Sequence, residues 1–304
     1  MNRPQLTSSS RKVDSSRGFT VLEVLVASAL FIMLLTLLLS VMNNTTSISS
    51  KAIAQIEATR IARESLDLIG HDIASASLPW SRTSTNSLEF LVNSSNYYTS
   101  MFWQAPLARD STNGNLAIVG YFVLRDVQAD ARESRFQLRR VYIEPDSTNG
   151  DYTIYSNPSW ITASTYTDFG PATAAADNTN AIKGWVADGI LGMWVRCLDK
   201  SGGVIAGPYD SRSAKYGATN WTNSYPSSYP YSRLPAFVEV ALVCVSPREV
   251  VRITNFTAAN TVNMANPTNF SAGVTAYVDT MRTNNPGAKS ITSFTRKFRI
   301  YNSD

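Results

Sequence analysis

Arg17-Gly18-Phe19-Thr20-Val21-Leu22-Glu23 opens onto VLVASALFIMLLTLLLSVM (Val24 to Met42), and this stretch decides the architecture of the 304-residue chain. From Phe19 to Met42 there are 24 residues and a single charge, Glu23. A helix rising about 1.5 Å per residue crosses a hydrocarbon core of roughly 30 Å over that length. The run is also much longer than the roughly 7–15 apolar residues of a secretory signal. A carboxylate in lipid costs roughly 2.5–3.5 kcal/mol on insertion scales unless it is neutralised or paired. Glu23 therefore admits two readings. In one it sits at the membrane edge and reaches headgroup water. In the other it meets a cation at its own depth, and cleavage between Gly18 and Phe19 would make one, an α-amine four residues before Glu23. That amine would be a neighbour within one helix or across two staggered helices.

The residues before this run are polar. Residues 1–17 carry Arg3, Arg11, Lys12 and Arg17 against Asp14, a net of +3. Positive charge beside a membrane helix holds that end in the cytoplasm, which places the body from Asn43 onward outside. The whole chain has 27 basic and 23 acidic residues. Without the leader's four and one, 23 and 22 remain, so the basicity is a topology signal and not a nucleic-acid footprint. Arg296, Lys297 and Arg299, set among Phe294, Phe298 and Ile300, read as the solvent face of a strand.

The helix is expected to continue past the membrane to about Ser77, ended by Leu78-Pro79. Ile48, Ala52, Ile56, Thr59, Ala62, Leu66, Ile69 and Ile73 recur at helical spacing and predict one apolar stripe laid on a globular head. Asn43-Asn44-Thr45-Thr46, poor helix formers, mark the place for a local kink.

The rest reads as one β-rich domain. Expected strands are Leu88–Val92, Leu116–Leu124, Arg135–Ile143, Tyr152–Tyr155, Ile190–Leu198, Ala236–Val245, Glu249–Ile253 and Phe294–Tyr301, rich in β-branched and aromatic residues. A short helix is expected near Gly273 to Met281. Two long polar loops, Glu144 to Ala181 and Asp199 to Arg233, have the length of functional segments. In the second, Tyr216, Trp221, Tyr225, Tyr229 and Tyr231 form either a contact surface or local packing over the sheet edge. The expected organisation is a leader at 1–18, a transmembrane helix at 19–42, its amphipathic extension at 43–78 and an extracytoplasmic head at 79–304. The fold class is α+β, with the long helix packed on a mainly antiparallel sheet.

Site chemistry is sparse. His71 is the only histidine, so a histidine-rich zinc site is excluded, and no nucleophile elbow accompanies it for a Ser-His-Asp arrangement. No phosphate-binding glycine loop occurs. Asp146 to Asp151 has oxygen ligands of the calcium-loop kind but lacks the later glutamate; a polar turn accounts for it. No catalytic residue, metal or cofactor is expected. Cys197 and Cys244, the only cysteines, each lie in an expected apolar strand. A disulfide on neighbouring strands and two buried free thiols both fit.

The segment Gly18 to Ala27, GFTVLEVLVA, resembles the processing and methylation site of type IV pilins and of the pseudopilins of type II secretion. The resemblance implies cleavage after Gly18 by a prepilin peptidase, N-methylation of Phe19, and a role for Glu23 in assembly. The leader is longer than many in that superfamily. Within the body, Phe102 to Leu107, Gly120 to Val123, Arg135 to Arg140 and Leu234 to Val243 are similar to blocks of the exported family called Verru_Chthon cassette protein C. The Leu-Pro-x-x-Val-Glu-Val block is also similar to J-type minor pseudopilins and W-type minor pilins. The expectation is a non-enzymatic subunit, single-pass in a bacterial cytoplasmic membrane with its head periplasmic. Its implied partners are the membrane, the peptidase, other pilin or pseudopilin subunits and an assembly platform. The alternative is a membrane-anchored binding protein or adhesin that does not polymerise.

Overall fold

The computed structural model describes residues 20–77, 90–94, 99–107, 115–126, 135–143, 183–205, 209–210, 234–256 and 270–302. The chain divides into two compact units, one up to Ser50 and one from Lys51. Helix α1 (Val21–Ala74) contributes to both. In the first unit every described residue is exposed. The helix stays regular through Asn43 to Thr46, where a kink was expected, and the hydroxyls of Thr45 and Thr46 donate to the carbonyls of Val41 and Met42.

The second unit is α+β. A six-stranded antiparallel sheet has the order β5-β4-β3-β2-β1-β7. Its strands are β1 (Leu91–Ser94), β2 (Thr99–Ala105), β3 (Ala117–Asp126), β4 (Arg135–Ile143), β5 (Lys183–Asp188) and β7 (Tyr209–Asp210). A three-stranded antiparallel sheet, β6-β8-β9, is built from Ile190–Leu198, Phe237–Cys244 and Thr292–Arg299. Strand β8 sorts its side chains by the two-residue period. Val238, Val240, Leu242 and Cys244 join Trp103, Tyr121 and Leu138 of the large sheet and Ala62, Leu66 and Ile69 of α1 in one core. Ala241, Val243 and Val245 face the other way, against helix α2 (Phe270–Asn284), through Val274, Tyr277 and Met281.

Gly189 joins the sheets. Its N–H donates to the Phe136 carbonyl at the end of β4 (2.7 Å), and its own carbonyl accepts from the Val245 N–H just beyond β8 (2.8 Å). Its φ of 81° lies in the region that glycine alone visits freely, and a Cβ there would collide with the Val245 carbonyl.

The helix stripe is partly out of phase with expectation. Ala62, Leu66, Ile69 and Ile73 are buried as the spacing predicts, but upstream Ala54 and Ala58 are buried while Ile48, Ala52 and Ile56 are exposed. Small side chains let the helix approach the head closely, and the isoleucines stay outside. Helix α1 also stops at Ala74, short of Ser77. Its last turn tightens, with the N–H groups of Ser75 and Ala76 donating three residues back, and the Ser77 N–H leaves for the Gln104 carbonyl of β2.

Strands Ile190–Leu198 and Arg135–Ile143 match expectation. The expected strand Glu249–Ile253 is instead a 3-10 helix, Pro247–Arg252, with proline in its first turn. Strands β2 and β5 were not anticipated. The expected strand Tyr152–Tyr155, the turn Asp146 to Asp151, most of the two long loops and the aromatic segment from Tyr216 lie outside the described residues.

Candidate functional site

Helix α1 starts on a cap. The Thr20 carbonyl already accepts the Val24 N–H (3.2 Å), and its side-chain Oγ1 accepts the Glu23 N–H (3.2 Å). Thr20 is thus the N-cap, and Glu23 the third helical residue, the threonine–glutamate spacing of a capping box. A carboxylate in the first turn also faces the positive end of the helix dipole. This is a local reason for Glu23 at its position, and it was legible in the Thr20-x-x-Glu23 spacing. Gly18 and Phe19 lie outside the described residues.

Beyond Glu23 the helix is free of charge through Met42, and none of that stretch is buried. By length and composition it is able to span a membrane. Leu22, Phe31, Met33, Leu34 and Leu38 are among its exposed side chains. Contiguous exposed apolar surface on this scale is rare on soluble monomeric proteins.

His71 and its neighbour Asp72 have different surroundings. His71 is exposed, with Nδ1 3.5 Å from Asp72 Oδ1. Asp72 is 2% exposed, and its Oδ2 accepts from Tyr121 Oη (2.5 Å) and Arg140 Nε (2.7 Å). The Trp103 indole N–H reaches the Asp72 carbonyl (3.2 Å). Burial, then the adjacent Asp72 charge, pushes the Tyr121 phenol far up. Burial works against the Arg140 charge, but the hydrogen bond to Asp72 and its negative charge outweigh it, and the guanidinium is raised. These groups neutralise one another inside the core and tie the end of α1 to β3 and β4. A single acid between Ile69 and Ile73 on the apolar stripe was the sequence signal for this node.

A second polar chain tethers α1 to the segment that follows β8. Ser246 Oγ donates to Glu57 Oε2 (2.6 Å), the Ser246 N–H donates to Ser290 Oγ (2.9 Å), and the Ser290 hydroxyl and N–H both donate to Glu249 Oε2 (2.6 and 2.8 Å).

Cys197 and Cys244 are both buried free thiols. Strands β6 and β8 are neighbours, but Cys197 lies opposite Val238 and Cys244 opposite Ile190. That is six positions along β8, on the order of 20 Å at strand rise, far beyond disulfide reach. The bridged reading is therefore corrected. Burial raises both thiols, which makes them inert as nucleophiles.

In comparisons with known proteins, the chain matches no family model and no curated protein.

Proposed function

We propose that this protein is a pilin-like or pseudopilin-like subunit, inserted by α1 and assembled into a filament for secretion, adhesion or export. The observation that carries the reading is the joining of GFTVLEVLVA to a helix whose apolar length is wholly unburied by its own chain. Such a surface is unfavourable in water and complementary to lipid or to like helices. In this reading the basic leader keeps the amino terminus cytoplasmic, a prepilin peptidase cuts after Gly18, Phe19 is methylated, and Glu23 helps set register with the next subunit. The role is structural, and the head is periplasmic.

The test is mass spectrometry of the amino-terminal peptide from membranes, with Glu23→Val alongside. N-methylated Phe19 as the first residue, with Glu23→Val cleaved normally but absent from sheared filaments, is the expected result. A mature protein that retains Met1 or Asn2 refutes the processing step. Normal filament content of Glu23→Val refutes the register role.

A further inference from the structure

A groove of about 410 Å³ runs between α1 and strand β5, lined among others by Ile61, Glu64, Ser65, Leu68, Trp185 and Asp188. The volume is that of a small-ligand cleft. Strand β5 is one of the two outer strands of the large sheet, and a bulge interrupts its pairing with β4. Leu138 pairs with Ala187 and Arg139 with Trp185, so Val186 has no partner in the ladder. A bulge re-aims side chains and interrupts pairing, which works against the addition of a peptide strand here.

The Trp185 side chain is 59% exposed, unusual for the largest apolar residue. It is held in place, because its indole N–H donates to Asp188 Oδ1 (3.1 Å), which also accepts from Gln137 Nε2 (3.0 Å). Gln137 in turn accepts from Arg139 Nη2 (2.7 Å). Both bonds to Asp188 fall on Oδ1, leaving Oδ2 as an open acceptor among the described residues. Across the groove Arg60 and Glu64 form an exposed pair (3.5 Å). Ser65, 1% exposed, packs at the base of the groove, its hydroxyl enclosed and without a hydrogen-bond partner among the described residues. Leaving such a group unsatisfied is costly.

We propose that this groove is a saccharide-binding site. A sugar ring presents a face of polarised C–H bonds, which suits the negative face of an indole. Its edge of hydroxyls both donates and accepts, which suits Asp188 Oδ2 and the Arg60–Glu64 pair. An indole fixed by a hydrogen bond enters such a complex without a large loss of side-chain freedom. The residues of the site all belong to the unit that begins at Lys51.

The test titrates the full chain in detergent with N,N′-diacetylchitobiose, cellobiose, lactose and maltose, read by indole fluorescence and saturation-transfer NMR. At least one disaccharide binds saturably, with transfer strongest to the C–H protons of one ring face. Trp185→Ala weakens that binding at least about tenfold with an unchanged melting temperature, Trp185→Phe retains part of it, and Asp188→Asn weakens it several-fold. Failure of all four sugars to bind, or wild-type affinity in Trp185→Ala, overturns the proposal.

Discussion

Tyr121 and Asp72 share a 2.5 Å hydrogen bond inside the head, and the oxygen that accepts it also takes the Arg140 Nε–H. The carboxylate is thus held by one neutral and one charged donor, from adjacent strands. Asp72→Ala leaves the Arg140 charge half-buried without its partner, a change that costs about 3 kcal/mol or more. Asp72→Asn keeps a polar contact and loses less. Urea titration of both variants against wild type checks the order.

Alkaline pH acts through the same node and through the thiols. Each group has a folded pKa above its unfolded value, so its stabilisation is complete below the unfolded pKa and is lost as pH rises above it. Unfolded thiols titrate near about 8.5 and unfolded tyrosine near about 10. Stability therefore begins to fall around pH 8.5 and steepens beyond about pH 10, each group adding at most about 1.4 kcal/mol per pH unit. Tyr121→Phe removes only the steeper upper part. Denaturation midpoints at a series of pH values resolve the two onsets.

The thiols themselves are expected to resist a disulfide-exchange reagent in the native head and to react together once it unfolds. Rapid labelling of either cysteine in the folded protein contradicts their burial. Intact mass under non-reducing conditions shows no intramolecular bridge.

Gly70 lies under the Phe298 ring, where a Cβ would collide with the ring edge. Gly70→Ala gains about 1 kcal/mol of helix propensity but overpacks the contact at a cost of about 1–3 kcal/mol, so the net effect is destabilising. In a Phe298→Ala background the collision is gone, and the same substitution stabilises. A double-mutant cycle in denaturant reads this change of sign.

Much of the fold was legible where pattern and burial agree. Strand β6 was found from its apolar run, and β4 from its alternation. Glu249–Ile253 misled because Val250, Val251 and Ile253 favour strands, whereas Pro247 starts a helical turn and the Glu249 carboxylate is captured by Ser290 from another part of the chain. Strand β2 hid behind Ser100 and Gln104, polar yet buried. The helix stripe was misphased because isoleucine outranks alanine on any hydropathy scale, while close packing on the head selects Ala54 and Ala58. The groove beside Trp185 could not be read at all, since it sets β5 beside a stretch of helix more than a hundred residues earlier.

The central position of β8 has a cost of its own. Both of its faces meet apolar cores, and the two sets of side chains, mostly valine, alanine and leucine, are near equivalents. Sliding the strand by one residue would exchange the apolar sets almost evenly, but it would also turn Glu239, the strand's one acid, onto the buried face, and an unpaired carboxylate there is costly. Alignment must then be enforced by polar fasteners: the Arg196–Glu239 pair across to β6 (2.5 Å) and the clasp of Gly189 on the Val245 amide. Oil gives this strand its place in the stack, and a few charges and amides tell it where to stop.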